Sequence, residues 1–228
     1  MGRDLFFDQK SGPCSFCHDN AGANFADGFG RNFVIGIEDM PSVPHKMENP
    51  SSPFDAGLGQ TAGTQGFGDN SFNTPPLVEA ADTAPFFHNN SIPTIEGAVA
   101  FYTSPAFQNA TGVNVDLEAS EVNAIAAMLR TINSLENIRI SNDQDHSAKD
   151  EELDDGIKFI ELAMADTEDA YQVLEGMEYH LFGDAVDLLK LAYELEASAI
   201  NANNKSKRNQ LLQKAISYKD KAKKLMAN

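Results

Sequence analysis

The sequence predicts an all-α protein with two parts, a loop-rich domain at residues 1–144 followed by a helical hairpin or bundle at residues 145–228. The first part contains all ten prolines and 13 of the 16 glycines, which interrupt regular secondary structure. From residue 150 onward proline is absent, and apolar residues recur every three or four positions, as on one face of a helix. These two patterns divide the chain near residue 145.

Three helices are predicted in the first part. The first begins near residues 2–7 and continues through a Cys-x-x-Cys-His run at residues 14–18. The second covers residues 94–102, and the third runs from about residue 119 to 134. The third has an apolar stripe at helical spacing, formed by Val122, Ile125, Ala126, Leu129 and Ile132. Between about residues 20 and 76 neither helical nor strand periodicity is sustained, so loops are predicted there.

The second part is predicted to be helical almost throughout. Apolar residues alternate by four and three over residues 153–174 and again over residues 181–195, as in the seam of a bundle or coiled coil. Breaks are expected near Gly176 and Gly183, because glycine weakens a helix interior. A final helix follows a turn at residues 201–204.

The predicted helices of the second part differ in the sign of their net charge. Residues 145–200 carry sixteen acidic and three basic side chains, whereas residues 201–228 carry eight basic and one acidic. Antiparallel packing would bring opposite charges together, although each exposed pair contributes under about 1 kcal/mol. This region is therefore expected to stabilise the protein or to build an oligomer.

Composition and charge narrow the functional classes. With 42% hydrophobic residues in 228, the chain can form an ordinary packed core. Its formal charge of -17 excludes a basic nucleic-acid surface and favours a partner protein with a basic docking face. No apolar stretch approaches about 18 residues, so no membrane span is predicted. The first residues also lack the apolar segment of a signal peptide.

The run Cys14-Ser15-Phe16-Cys17-His18 carries the chemistry, and it contains the only two cysteines of the chain. Two thiols at this spacing can add to the vinyl groups of one haem, with the adjacent histidine as the proximal iron ligand. A redox dithiol normally opens a helix after a strand in a βαβ unit, which is not predicted here. A zinc site would need a second pair of ligands, and no other cysteine exists. The run therefore predicts one covalent haem c.

The sixth ligand on iron is left open by residue type alone. It must come from the first part and reach the opposite face of the haem. Six residues have suitable side chains: Met40, His45, Met47, His88, Tyr102 and Met128. Because haem c is attached outside the cytoplasm, the chemistry predicts a periplasmic or extracellular protein.

Several motifs resemble one haem protein family. The runs FNTPPL at residues 72–77, TAPFFHNN at 83–90 and TIEGAVAFY at 94–102 resemble the carboxy-terminal haem domain of bacterial di-haem cytochrome c peroxidases and MauG. The run GRDLFF at residues 2–7 and the helix near residues 121–132 are similar to the same domain. The resemblance covers roughly residues 2 to 135, and residues 145–228 lie outside it.

The resemblance implies a sixth ligand. In this family the distal ligand stands fourteen positions after the histidine of a Thr-Ala-Pro-x-x-His motif, here His88, and it is methionine in typical peroxidases and tyrosine in MauG. That position is Tyr102, which implies the tyrosine choice. A phenolate stabilises ferric iron and lowers the reduction potential, whereas a thioether raises it. Four phenylalanines are expected to keep water from the iron: Phe16, Phe86, Phe87 and Phe101.

The family also binds calcium through backbone carbonyls at positions that match Thr83 and Pro85. A further calcium ligand comes from the family's amino-terminal haem domain, which has no counterpart in the present sequence. In the family, peroxide reacts at the haem of that other domain, and an indole bridges the two haems. The present sequence has one haem motif and no tryptophan. The motifs therefore match the electron-storing half of the family.

These observations predict a monohaem c-type cytochrome in electron transfer, with His18 and Tyr102 as axial ligands. One alternative is an enzyme, in which the chain is one haem-bearing part of a MauG-like or peroxidase assembly with a second haem domain elsewhere. Another is a structural cytochrome, in which the helical part forms a homo-oligomer.

Overall fold

The protein is described here from a computed structural model. The structure describes residues 1–8, 14–18, 32–37, 40, 72–177 and 181–227. Within these residues it has eight α-helices and two short strands: α1 Gly2–Phe7, α2 Cys14–Cys17, β1 Asn32–Phe33, β2 Phe72–Asn73, α3 Ile95–Phe101, α4 Pro105–Thr111, α5 Ala119–Asp150, α6 Ile157–Glu175, α7 Gly183–Ile200 and α8 Lys205–Met226. The predicted all-α class is confirmed, and so is the predicted helical bundle in the carboxy-terminal part of the chain.

The chain forms two compact units, Met1–Leu129 and Arg130–Asn228, and their boundary falls inside α5. The predicted boundary near residue 145 lies further along the same helix. The helix also continues to Asp150, well past its predicted end near residue 134. Neither glycine nor proline occurs between Gly112 and Gly156, so nothing in the sequence interrupts it.

In the first unit, α1 packs against the beginning of α5. A Cβ atom at Gly2 would collide with the backbone carbonyl of Ala124, so this close approach requires glycine. An apolar cluster joins α1, α3 and α5, and it consists of Phe6, Ile95, Val99, Val122, Ile125, Ala126 and Leu129. The apolar stripe predicted on the third helix is thus largely core.

Side-chain caps define the helices that carry the site. The Thr94 hydroxyl accepts a hydrogen bond of 3.1 Å from the Gly97 backbone and begins α3. The Ser104 hydroxyl accepts one of 3.2 Å from the Phe107 backbone and begins α4, with Pro105 at the first helical position. The predicted helix at residues 94–102 is therefore confirmed, with Thr94 and Tyr102 as its capping residues.

Strands β1 and β2 form a two-residue antiparallel ribbon, in which Phe33 pairs with Phe72. This ribbon was not predicted, since two residues are too few to show a period. The first predicted helix is described as two pieces, α1 and α2, and most of the predicted loop region lies outside the described residues.

In the second unit, α6 packs on α7 and α7 on α8. Helix α6 ends at Glu175 with Gly176 as its cap, and α7 begins at Gly183, as predicted. The Asn204 side chain accepts a hydrogen bond of 2.8 Å from the Lys207 backbone and begins α8. No helix in the described part of the chain is long and apolar enough to cross a membrane.

A buried arginine closes the connection between α5 and α6. The Arg208 guanidinium donates hydrogen bonds to three backbone carbonyls there, at 2.7 Å to Glu151, 2.7 Å to Glu152 and 3.2 Å to Leu153. These carbonyls follow the end of α5, where backbone acceptors have no partner within the helix. A Cβ atom at Gly156 would collide with this guanidinium, so the connection requires glycine at that position.

Candidate haem-attachment site

Helix α2 places the two cysteines and the histidine on adjacent positions of one helical turn. Cys14 and Cys17 are half-buried and form no disulfide, and Cys14 packs against the apolar cluster around Phe6. The His18 backbone N–H donates a hydrogen bond of 3.0 Å to the Cys14 carbonyl, which continues the helical turn by one residue. The two thiols and the imidazole are thereby held on one helical turn.

The electrostatics of the thiols differ from those of a redox dithiol. Burial raises the pKa of Cys14 to about 11, and the neighbouring Cys17 thiol adds to the increase. Burial also raises the pKa of Cys17. Reactive dithiols need the opposite, a lowered pKa that exposes a thiolate at neutral pH. A thioether carries no charge, so the burial that disfavours a thiolate does not disfavour covalent attachment to haem.

His18 is buried and neutral at physiological pH. Its side chain is 7% exposed, and burial lowers its pKa to about 4. The Pro75 backbone acts in the opposite direction, but no described residue is in hydrogen-bonding geometry with the ring Nδ1 atom. Neutral imidazole is the form that binds iron. A buried, neutral imidazole fits a ligand group of this kind.

Tyr102 lies near the two thiols. Burial raises the pKa of its hydroxyl far above the ordinary value, and the Cys14 and Cys17 thiols raise it further. The Tyr102 hydroxyl therefore interacts electrostatically with both cysteines of α2. The ring itself is only half-buried, so it is the hydroxyl end that protein atoms surround. Without a cation nearby, this phenol stays protonated at neutral pH.

An aromatic cluster surrounds Tyr102. The ring centroids of Tyr102 and Phe107 are 5.0 Å apart, and those of Tyr102 and Phe101 are 5.5 Å apart. Phe87 packs edge-on against Phe101 at 4.9 Å. Phe87 has a φ of 66°, a left-handed conformation that costs a non-glycine residue about 1 kcal/mol or more. Packing of its ring against this cluster offsets that cost.

The structure places the other predicted site residues as follows. Phe86 is half-buried between the two apolar clusters of the first unit, and its N–H donates a hydrogen bond of 2.7 Å to the Ile92 carbonyl. His88 is exposed and stacks on Phe72, with ring centroids 3.7 Å apart. Phe16 is 64% exposed and faces Phe33 at 6.1 Å, so a role in excluding water from iron stays a prediction for this residue.

The alternative sixth ligands are distributed over the first unit. Met40 is half-buried beside the cluster that contains Phe101, and Met128 packs against the cluster around Phe6. His45 and Met47 lie outside the described residues. Tyr102 interacts electrostatically with both cysteines.

The calcium site implied by the resemblance stays a prediction. Thr83 and Pro85 are exposed, and the bond before Pro85 is cis. No group of three or more His, Cys, Asp or Glu side chains that could hold a metal ion occurs among the described residues. The ligands implied at Thr83 and Pro85 are backbone carbonyls, which are not among these side chains.

Two contributors to the site were not predicted. Phe107 stands three residues after the capping serine of α4, and the Ser-Pro pair before it was a usable signal for that helix. Pro75, whose backbone acts on His18, lies 57 residues from it in sequence, and no local pattern connects the two.

Compared with models of known protein families, with curated proteins and with solved structures, the chain has no match. The relation to the di-haem peroxidase family therefore depends on the sequence motifs alone.

Proposed function

We propose that the first unit binds one haem c covalently through Cys14 and Cys17, with His18 and Tyr102 as axial ligands, and that the protein transfers electrons outside the cytoplasm. The observation that carries this proposal is the electrostatic interaction of the buried Tyr102 hydroxyl with both cysteines of a Cys-x-x-Cys-His helix, whose histidine is buried and neutral.

Each residue has a separate task in this proposal. The thiols anchor the cofactor, and the neutral imidazole of His18 supplies a nitrogen ligand. The haem supplies an iron centre that gains and loses one electron. The aromatic cluster around Tyr102 keeps water away, which strengthens the electrostatic attraction between a phenol oxygen and a cation. A ferric cation is also what would lower the pKa of this buried phenol enough for it to ionise.

Electron transfer is favoured over peroxide chemistry because both axial positions are assigned to protein side chains. Peroxide would need one of them to be open. The formal charge of -17 supports transient docking to a redox partner with a basic face, by steering that salt weakens.

The test compares the ferric protein with Tyr102→Phe by electronic absorption and EPR spectroscopy, with Tyr218→Phe in the second unit as a matched control. We expect Tyr102→Phe to abolish the low-spin ferric signal and to raise the reduction potential, and Tyr218→Phe to change neither. An unchanged low-spin signal in Tyr102→Phe would show that another residue binds the iron.

Mass spectrometry and peroxide separate the remaining alternatives. A denatured chain without covalently bound haem after full maturation would contradict the proposal entirely. A rapid spectral change of the ferric wild-type protein on mixing with peroxide would favour the enzyme alternative. An association that strengthens with protein concentration in sedimentation, without redox activity, would favour the structural alternative.

A further inference from the structure

A fully buried polar cluster lies in the second unit, and the proposed electron transfer does not use it. Each helix of the bundle contributes to it. Its members are Ser141 and Asp145 of α5, Thr167 of α6, Glu196 of α7 and Lys219 of α8, all 0% exposed. Charged side chains are almost never fully buried unless they are paired, so this cluster requires an explanation.

The Lys219 amine is at the centre of the cluster. Its Nζ atom donates hydrogen bonds of 2.7 Å to Asp145 Oδ2, 2.6 Å to Glu196 Oε1 and 2.6 Å to the Ser141 hydroxyl. An ammonium has three N–H donors, so all of them are used. The Thr167 hydroxyl donates a further hydrogen bond of 3.1 Å to Glu196 Oε1. The amine is thus held against two carboxyl groups in a site that excludes water.

The charges of this cluster do not balance if every group is ionised. Two carboxylates facing one ammonium would leave a net negative charge in the interior, which is costly. Asp145 Oδ1 and Glu196 Oε2 are also buried without a partner in the described part of the chain. The two carboxyls lie within hydrogen-bonding reach of each other. One proton shared between the two carboxyl groups makes the cluster neutral and gives Asp145 Oδ1 and Glu196 Oε2 a hydrogen bond to each other.

Burial favours the uncharged forms still further. It raises the pKa of Asp145, and it raises the pKa of Glu196 to about 7. The amine contacts both carboxyl groups directly, so the arrangement in which one of its protons lies on the remaining carboxylate consists of three neutral groups. That state contains an amine nucleophile and a protonated carboxylic acid in direct contact. Such proximity replaces a bimolecular reaction by an intramolecular one, and effective molarities reach about 10⁵ M or more.

We propose that Lys219 and Asp145 form an intramolecular amide bond, with Glu196 as the proton carrier. Lys219 Nζ attacks Cγ of Asp145, and the new N–C bond forms as one carboxyl oxygen leaves. Glu196 takes a proton from the attacking nitrogen and transfers one to the departing oxygen, which leaves as water. The amine and the acid become an amide and water, no group is oxidised or reduced, and Glu196 ends protonated.

The geometry favours Asp145 over Glu196 as the acceptor. Glu196 Oε1 accepts hydrogen bonds from both Lys219 and Thr167, which hold this carboxyl in place as a proton carrier. Lys219 is the described donor to Asp145 Oδ2. The bond would join α5 to α8 across 74 residues of sequence. It would lower the conformational entropy of the unfolded chain, as a disulfide does.

Intact-mass spectrometry of the full-length wild-type protein under denaturing conditions tests this proposal. The expected mass is that of the sequence plus any covalent haem, minus one water molecule. After proteolysis, fragmentation should find a branched peptide in which Lys219 is joined to Asp145. Lys219→Arg and Glu196→Gln should both show the full mass without water loss, and circular dichroism establishes that each variant is folded.

The exposed ion pair between Lys190 and Glu175 is an internal control. It brings an amine and a carboxylate to 2.5 Å, but its side chains are 47% and 43% exposed, so the pair is in contact with water. Lys190→Arg should retain the water loss. A wild-type protein of full mass would overturn the proposal, and so would a water loss mapped to Glu196 or to the Lys190–Glu175 pair.

Discussion

At the scale of single residues, burial decides the protonation state of the groups on which both proposals depend. It keeps the Cys14 and Cys17 thiols and the Tyr102 phenol protonated, and it keeps His18 neutral. Protonated thiols and a neutral imidazole are the forms needed for haem attachment and proximal ligation, whereas the Tyr102 phenol would have to lose its proton to bind ferric iron. In the second unit, burial instead opposes the ionisation of Asp145, which makes its contact with Lys219 chemically unusual.

The raised pKa of Cys14 predicts slow alkylation. Relative to the ordinary value of 9.0, a pKa of about 11 leaves about 100-fold less thiolate at neutral pH. In the haem-free Cys17→Ser variant, we expect iodoacetamide to react with folded Cys14 much more slowly than with the unfolded chain, and faster as pH rises. Folded and urea-unfolded rates measured at several pH values check this. A folded rate at pH 7 equal to or above the unfolded rate would favour the redox-dithiol interpretation.

Removal of the Lys219 amine is expected to destabilise the second unit strongly. Lys219→Met removes the one group that both buried carboxyls contact, together with the proposed amide bond, and breaking a buried pair typically costs about 3–5 kcal/mol. Urea unfolding followed by circular dichroism measures the loss. Lys221→Met, at an exposed position of the same helix, is the control and should change stability by less than about 1 kcal/mol. Equal effects of the two substitutions would contradict the importance of the buried cluster.

At the scale of elements, local signals located the helix ends well, whereas periodicity located the end of α5 poorly. The apolar stripe of α5 ends at Ile132, and apart from Ile138 and Ala148 the buried residues beyond it are polar: Asn133, Ser134, Asn137, Ser141 and Asp145. A hydrophobic pattern therefore suggests that the helix stops, although its packed face continues. Glycines at positions 176 and 183 mark real ends because their effect on a helix is local.

The connection between α5 and α6 should not tolerate a side chain at Gly156. In Gly156→Ala, the new methyl group would overlap the Arg208 guanidinium and approach the Ala148 carbonyl, and overpacking typically costs about 1–3 kcal/mol. Gly183→Ala is the matched control, because nothing lies within 4 Å of a Cβ atom there. It should be neutral or stabilise the protein by up to about 1 kcal/mol. Thermal unfolding of both variants decides the comparison, and a stabilised Gly156→Ala would show that Arg208 is easily displaced.

At the scale of the whole molecule, the acidic excess is distributed unevenly between the helices of the second unit. The basic final helix pairs with earlier segments at exposed positions, as in Lys205 with Glu152 at 3.5 Å, and at the fully buried Lys219. Exposed pairs of this kind add little to stability. The buried cluster has the larger effect, so the pH dependence of unfolding should follow it.

Stability of the second unit is expected to fall as pH rises from about 4.5 to about 7. Over this interval the unfolded chain releases the Glu196 proton, whereas the folded state retains it because its pKa is about 7 against an ordinary 4.5. The unfolded state then binds fewer protons, so the free energy of unfolding decreases with pH. Burial is the largest cause, so an amide at Asp145 would not reverse this direction. Glu196→Gln should flatten the profile measured by urea unfolding, and an unchanged slope in that variant would assign the effect to other groups.

The sequence by itself determined the all-α class, the Cys-x-x-Cys-His run and the breaks near Gly176, Gly183 and residues 201–204, because these depend on residues a few positions apart. Tertiary structure decided which polar residues are buried, as on α5 from Asn133 to Asp145, and which distant side chains interact, as Tyr102 does with the cysteines and Lys219 with Asp145. Burial and electrostatic interaction depend on the positions of segments far apart in the chain. The local periodicity of a sequence does not reveal contacts between distant segments. The protonation states that govern the chemistry depend on those contacts.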